Sequence, residues 1–307
     1  MHDRLDANET VFFDRELENV RTREYNIKFP NFKARQYIPV DTSADEGDLF
    51  VTYNQFTELG VSEFISDYAS NLPLVNATGQ QFTVKIKDHG NAFQMSNKEI
   101  RSSKKANKKL KLKLGDASRR AYEQLVDNLA WLGDGTAAFG GLFGLVYNPN
   151  VTSGAAPNGT WASATPDAII ADVNFAINGI NTLTNTVEQA NTCLMSPANF
   201  KLIASTPRSG TSDTTILKFL KDVHPTVKFD EISKLVALDP KPSGGAGPTE
   251  ILIAMSSTPE TLTLDIPMEY RINAPQHVNL AQVVNTEGSI AGVIIPYPLA
   301  ISIIEGL

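Results

Sequence analysis

The chain has 307 residues, of which 42% are hydrophobic and 20% are charged, and its formal net charge is −7. This composition predicts a globular protein with a large core and excludes an intrinsically disordered one. No run approaches the ~18 apolar residues that span a bilayer, and the polar start MHDRLDANET lacks an apolar signal core, so we expect synthesis in the cytoplasm.

Residues 1–40 mix charge with aromatic side chains and show no sustained period, and two prolines interrupt them. We expect an extended arm that lies across other structure, including another subunit. From Leu49 the pattern becomes strand-like and continues into a turn or short helix through Leu59–Tyr68. After a turn at Asn76–Gly79, the segment QFTVKIKDHG alternates and predicts a half-exposed strand whose apolar face is formed by Phe82, Val84 and Ile86.

The most unusual feature is a basic segment over residues 98–120, which contains ten of the chain's 27 basic residues and only two acidic residues. Its formal charge is +8, while the rest of the chain carries −15. Such segregation indicates a surface that meets nucleic acid, a membrane surface or an acidic patch on a neighbouring subunit, and a solvated helix face is the plain alternative. The ten residues are Lys98, Arg101, Lys104, Lys105, Lys108, Lys109, Lys111, Lys113, Arg119 and Arg120.

The basic segment divides at Leu110–Gly115. The part before it, NKEIRSSKKANKK, predicts one short helix. The part after it predicts a long helix over Asp116–Leu132, with Asp116 as N-cap and Gly133 as the stop. Helical spacing predicts a buried face of Ala121, Leu125, Leu129 and Leu132 and a solvated face of Arg119, Glu123 and Asp127.

A glycine-rich passage and an irregular loop follow, and the next helix is predicted to begin at Thr165-Pro166-Asp167. Further on, TCLMSP and ILIAMS predict buried strands, ANFKLIAST and TTILKFLKDV predict helices, and PKPSGGAGP predicts a loop. This alternation between about 165 and 256 is typical of a compact α/β unit. In the last 50 residues the pattern again predicts strands, in the segments TLTLDIP, HVNLAQVVN and SIAGVIIPYPLAISII.

Sequence motifs for catalysis or ligand binding are missing. Neither GxxxxGK[ST] nor GxSxG occurs, and the four histidines lack the spacing of metal ligands. The lone Cys193 lies among apolar neighbours and is predicted to be a buried structural thiol. We therefore expect no catalytic residue, no cofactor and no metal site. The basic segment contains no aromatic residue, so any contact with nucleic acid would be electrostatic rather than sequence-reading.

Several short motifs occur in a particular order: Leu72-Pro73-Leu74, Gly90-Asn-Ala-Phe93, Trp131-Leu-Gly133-Asp134, Gly141-Leu-Phe-Gly144, Met195-Ser-Pro197 and the terminal GVIIPYPLAI. None is specific alone, and their order and spacing carry the comparison. With them, the chain from about Tyr37 onward resembles the major capsid proteins of tailed bacteriophages, in the branch related to encapsulins.

The resemblance implies an α+β phage major capsid fold. It implies an N-terminal arm over residues 1–44, an extended E-loop β-ribbon with its base over 45–95, and a peripheral (P) domain over 96–164 that contains a long spine helix at 116–132. An axial (A) domain of α/β type would cover 165–256, and residues 257–307 would supply strands that return to the P and A domains.

The resemblance also implies a structural, non-enzymatic protein that assembles as pentamers and hexamers of itself into an icosahedral shell around double-stranded DNA. Such a protein is made in the host cytoplasm and resides in the virion, with scaffold, portal and decoration proteins as partners and no membrane. No acidic helical prefix precedes the fold, so we expect a separate scaffold or none. Two alternatives remain open, an encapsulin-type nanocompartment that encloses a cargo enzyme and a soluble α/β enzyme.

In the resemblance, the basic segment links the base of the E-loop to the spine helix, near contacts between subunits and partly facing the interior. The resemblance therefore favours pairing of these lysines and arginines with acidic surfaces of neighbouring subunits. Screening of packaged DNA and simple solvation are the alternatives.

Overall fold

The α+β architecture is confirmed in the computed structural model, which describes residues 30–64, 73–106, 109–134, 141–209, 214–236 and 249–307. The helices of the described part are α1 (Ala34–Tyr37), α2 (Asn97–Lys105), α3 (Leu110–Trp131), α4 (Pro166–Leu183), α5 (Pro197–Ser205) and α6 (Ile216–Val223). The strands are β1 (Val40–Asp41), β2 (Phe50–Leu59), β3 (Asn76–Lys85), β4 (Lys87–Ser96), β5 (Thr152–Ala155), β6 (Thr192–Met195), β7 (Lys228–Glu231), β8 (Ile251–Met255), β9 (Thr263–Asp265), β10 (Met268–Ile272), β11 (Gln276–Val278), β12 (Ala281–Ile290), β13 (Gly292–Ile294) and β14 (Ile301–Glu305).

A five-stranded mixed sheet in the order β5-β14-β8-β6-β7 forms one part of the body. Strand β14 is antiparallel to β8 and parallel to β5, and β6 is antiparallel to β8 and parallel to β7. Helix α4 packs on this sheet and begins as predicted, because the Thr165 side chain caps it and Pro166 occupies its first turn. The predicted strands and helices of 165–256 are confirmed, and the sheet also takes in β5 and β14 from outside that range. The predicted loop PKPSGGAGP lies outside the described residues.

A second sheet is built around β12, which pairs with β4, β10 and β11. Strands β4 and β12 pair over ten residues, from Ser96 opposite Ala281 to Lys87 opposite Ile290. The segment HVNLAQVVN, predicted as one strand, is instead a hairpin in which Val278 lies opposite Ala281. Asn279 forms the turn with a φ of 54°, a left-handed conformation that asparagine tolerates better than most residues.

Helix α3 is longer than predicted. It begins at Leu110 rather than Asp116, its N-cap is Lys109, and Gly115 lies inside it. The early start has a packing reason, because Leu110 and Leu114 pack on Phe93, Met95 and Val284. The end matches the prediction, since the helix stops at Trp131 and Gly133 follows with a φ of +81°.

The buried face of α3 also differs from the prediction. Ala121 is exposed and Leu125 is more than a third exposed, while Leu129 is buried as predicted. Asp127, predicted on the solvated face, is only 4% exposed. The buried residues of the helix include an i, i+4 series of Ser118, Tyr122, Val126 and Ala130, and toward its end Asp127, Leu129 and Trp131 are buried as well.

Asp127 is buried because it binds the segment just before and within α1. Its Oδ1 accepts hydrogen bonds from the backbone N–H groups of Lys33 at 3.1 Å and Ala34 at 3.0 Å, and from Trp131 Nε1 at 3.3 Å. Residues 33–41, which the sequence prediction placed in the N-terminal arm, pack on the body of their own chain. Residues 1–29 lie outside the described part.

The segment 33–41 reaches three further strands. Lys33 Nζ forms a salt bridge with Asp230 of β7 at 2.9 Å, and Arg35 binds Glu269 of β10 through two hydrogen bonds. Strand β1 pairs in parallel with β9. One short stretch of chain thus ties α3 to three different strands.

We expect Asp127→Ala to lower the free energy of unfolding by about 2 to 4 kcal/mol, because it leaves buried N–H donors without an acceptor. Denaturant unfolding of the unassembled chain measures this change. Gln124→Ala, at an exposed position of the same helix, is the matched control and is expected to leave stability nearly unchanged. Equal stability of the two variants would contradict this role for Asp127.

Two carboxylates lie side by side where β1 pairs with β9, since Asp41 is opposite Asp265. Burial and, to a smaller extent, the neighbouring Asp41 carboxylate together raise the pKa of Asp265 to about 6, although a hydrogen bond from Thr263 at 2.8 Å opposes the shift. A carboxyl whose pKa is higher in the folded chain than in the unfolded one favours folding when protonated. Its contribution is present at low pH and is lost as the pH rises from about 4 to about 6.

We expect Asp265→Asn to remove this dependence. Because asparagine is neutral at every pH, the variant should gain stability relative to the original chain at neutral pH and lose that advantage at about pH 4. Urea midpoints of both chains across this pH range provide the measurement. A stability difference that stays constant with pH would show that Asp265 does not titrate in this window.

Candidate assembly surfaces

The basic segment lies on α2, on the first three turns of α3 and on the link between these helices. Helix α2 begins with a capping box, in which the Ser96 side chain accepts from the Glu99 N–H and the Glu99 carboxylate accepts from the Ser96 N–H. This cap lowers the pKa of the exposed Glu99 carboxyl. Lys104 and Lys105 occupy the last turn, where positive charge suits the helix dipole.

A small separate core fixes the two helices on the β4–β12 pair. Its buried members are Phe93, Met95 and Val284, and Ile100 of α2 packs against them. Leu110 and Leu114 do the same from α3. The two basic helices are therefore held by apolar contacts at a defined position.

Between α2 and α3 lies a groove of about 340 Å³, which we call the basic groove. Its apolar lining comes from both helices and from β4. Lys104, Lys109 and Lys111 also line the groove. The lining residues are Met95, Ile100, Ser103, Lys104, Lys109, Leu110, Lys111, Leu112 and Gln282.

Most of the described basic side chains of this region are exposed. Of the ten predicted residues, Lys108 lies outside the described part and Arg120 is half-buried. Arg101 donates to the Asn97 carbonyl. The exposed residues that form no ion pair with any described residue are Lys98, Lys104, Lys105, Lys109, Lys111 and Arg119.

The second surface is a two-stranded ribbon made of β2 and β3, which pair with each other over ten residues. The predicted alternation is confirmed, since Val84 packs on the main core and Phe82 stacks on Tyr53 at 5.2 Å between ring centroids. The predicted turn at Asn76–Gly79 is wrong. These residues continue β3, and the Phe56 ring covers Gly79, where a Cβ would lie only 2.9 Å from Cε1 of that ring.

The far end of the ribbon exposes apolar side chains. We call Glu58–Phe64 together with Pro73–Val75 the ribbon tip. Phe64 is fully exposed and Leu74 is 93% exposed, and Leu59, Val61 and Val75 are also exposed. An isolated ribbon of this kind is marginally stable in water, and its open edges invite pairing with another chain.

Reactive chemistry is scarce in the described part of the chain. No group of three or more His, Cys, Asp or Glu residues there is placed to hold a metal ion. Cys193 is fully buried on β6, as predicted for a structural thiol, and burial raises its pKa to about 12. Among the described helices, none is long and apolar enough to cross a membrane.

Comparison with known proteins gives the class. The chain is similar to the capsid of Myoviridae phage XM1, with a TM-score of 0.83 and 18% identity over 97% of this chain and 99% of that one. It is also similar to Mycobacterium phage Bobi (TM-score 0.65, 11% identity, 94% of each chain). A third similar structure is the capsid of a native GTA particle (TM-score 0.63, 10% identity, 94% of this chain and 95% of that one). No curated protein sequence matches the chain.

These similarities define the fold as that of phage capsid shells. The family described as "Major capsid protein" matches residues 60–307, and the chain belongs to it. It is a shell-forming, structural protein of a virion capsid. The encapsulin-type alternative is not favoured over this function.

The ribbon tip gives a prediction about assembly. We expect Phe64→Ser with Leu74→Ser to leave the unfolding free energy of the unassembled chain within about 0.5 kcal/mol, because both side chains are exposed. The same variant should form fewer shells, since it removes apolar surface that a neighbour would cover. Sedimentation of assembled against unassembled protein measures the effect. An unchanged shell yield would show that the tip is not an assembly contact.

Proposed function

We propose that this chain assembles as pentamers and hexamers of itself into an icosahedral shell that encloses double-stranded DNA. The observation that carries the proposal is the ribbon, whose apolar tip and open strand edges find no cover in the described part of their own chain. A surface that meets a different surface on the next copy gives a head-to-tail contact, and such contacts close into rings. The role is mechanical rather than catalytic.

The parts of the fold map onto those expected for such shells. We assign β2 and β3 to the E-loop, α3 to the spine helix of the P domain, and the five-stranded sheet with α4 to the A domain. On this assignment the spine helix begins at Leu110, and the N-terminal arm ends before residue 33.

The proposal extends to the partners. The chain's net charge of −7 suits a shell that contains DNA without gripping its bases. Synthesis would take place in the host cytoplasm, and portal, scaffold and decoration proteins would meet the shell at its edges and surface. The basic segment would pair with acidic surfaces on neighbouring copies, and screening of packaged DNA is the second candidate for it.

Electron micrographs of the purified chain test the proposal most directly. We expect closed particles of uniform diameter, because assembly by repeated contacts ends only when the shell closes. Nuclease-treated particles from the producing host should absorb more strongly at 260 nm than empty shells do. A preparation that contains only monomers or small oligomers would overturn the assembly proposal, and particles without nucleic acid would overturn the DNA content.

A further inference from the structure

We propose that His89 is an acid-sensitive latch between β4 and α3, so that protonation of its imidazole loosens the base of the ribbon. Such a latch adds a response to pH that goes beyond the proposed shell function. It changes how firmly the ribbon is held by the body of its own chain, and it acts in a chain that has not yet assembled.

The face of β4 that meets α3 has three successive levels. At the level farthest from the ribbon, Phe93 belongs to the small core beneath the two basic helices. At the middle level, the Asn91 side-chain Nδ2 donates to the Ser118 carbonyl at 3.1 Å. At the level nearest the ribbon, the His89 ring stacks on Tyr122, with 5.0 Å between ring centroids and 19° between ring planes. Only this last level contains a side chain that changes its charge near neutral pH.

The imidazole of His89 is buried without compensation. Both of its ring nitrogens are buried and have no hydrogen-bond partner among the described residues. Gly288 lies opposite His89 in the strand pairing, and a Cβ at that glycine would be 3.3 Å from His89 Nε2. An imidazolium carries two N–H donors and a full charge, so protonation would place an unpaired cation in this site.

The charged groups around His89 are already engaged with other partners. The Tyr122 hydroxyl donates to Glu269 Oε2 at 3.1 Å, and Arg35 binds both carboxylate oxygens of Glu269. Burial raises the pKa of Tyr122 to about 12, so this ring stays neutral. Asp88 precedes His89 on β4 and is exposed, since alternate side chains of a strand point to opposite faces. The other polar and charged groups of the packed elements are paired as well, Lys87 with Asp134, Glu123 with Arg35, Glu287 with Arg271 and Tyr270 with Ser118.

The sign of the pH effect follows from this site. Burial lowers the pKa of His89 below its usual value of 6.5, and the Lys87 backbone and the Asp88 carboxylate oppose the shift only in part. The unfolded chain then binds the proton more tightly than the folded chain, so protonation favours opening. The contribution of the latch is complete above about pH 6.5 and is lost as the pH falls below that value. Asp265 titrates in an overlapping range, but it lies on β9 and its protonation favours folding.

The position of His89 connects this local event to the ribbon. Strand β3 ends at Lys85 and β4 begins at Lys87, so only Ile86 separates the ribbon from β4. The Ile86 N–H donates to the Leu49 carbonyl at 3.0 Å, just before β2 begins. Opening of the His89 level would leave this end of β4 held chiefly by its pairing with β12. The ribbon would then pivot more freely on the body.

Hydrogen exchange of the unassembled chain, corrected for the pH dependence of the intrinsic rate, provides the test. In the original chain we expect residues 87–91 and 118–123 to exchange at least about threefold faster at pH 5.5 than at pH 7, because opening becomes more favourable. His89→Phe keeps an aromatic ring against Tyr122 but stays neutral, so it should show no such change. His89→Gln is a second neutral variant, and His277→Gln, at an exposed position of β11, is its matched control and should behave like the original chain.

A second measurement needs no variant. The His89 imidazole, followed by nuclear magnetic resonance in the original chain, should titrate below pH 6.5, and titration at or above that value would overturn the latch. Equal acceleration of exchange in the original chain and in both His89 variants would assign the effect to another group. Equal acceleration throughout the five-stranded sheet would indicate a global loss of stability and would also overturn the latch.

These measurements separate the latch from the proposed function, because both use the unassembled chain. Shells that form normally from a chain without acid-accelerated exchange at β4 would remove the latch and leave the proposed function intact. A chain that shows the expected exchange but forms no shells would support the latch and contradict the proposed function.

Discussion

The buried carboxylate of Asp127 is the interaction on which the rest of the fold depends. A charge removed from water is tolerated only when hydrogen bonds replace the lost solvent, and here two backbone N–H groups and the Trp131 indole do so. The two backbone donors belong to Lys33 and Ala34, so the carboxylate holds the start of α1 against α3. In the same segment, Lys33 contacts β7, Arg35 contacts β10, and β1 pairs with β9. A single side chain of the long helix thus holds the segment that contacts three strands.

The molecule separates the groups that fold it from those left for other copies. In the body, Asp127, Asp230 and Glu269 are each satisfied by partners from the same chain. In the described structure, Glu58 and Glu63 of the ribbon tip and Lys104, Lys109 and Lys111 of the basic groove form no ion pair. The apolar side chains of the ribbon tip are exposed. A free edge and an apolar tip are liabilities in a protein that stays alone, but they are useful in one whose neighbours cover them. This division explains how a chain can be folded before assembly and still present surfaces that bind other copies.

Much of this fold could be predicted from local patterns, and the errors share a cause. Helix α4 was identifiable because Thr165 and Pro166 mark its start chemically. The start of α3 was missed because its first turns are held by contacts with β4 and β12, which lie far away along the chain. Asp127 was placed on the solvated side for the same reason, since spacing cannot reveal a partner 93 residues away. The basic groove likewise needs two helices and a strand to come together, so the sequence indicated the charge but not the apolar floor beneath it.

The segregation of charge has an energetic consequence that ties folding to assembly. Crowding eight net positive charges into residues 98–120 costs self-repulsion in an isolated chain. An even distribution of the same residues would relieve this repulsion, and would also remove any preference for one contact over another. Keeping the charges apart leaves the basic segment incompletely neutralised in a single chain. In the proposed shell, acidic surfaces of neighbouring copies would relieve this repulsion and would favour one register of assembly over many.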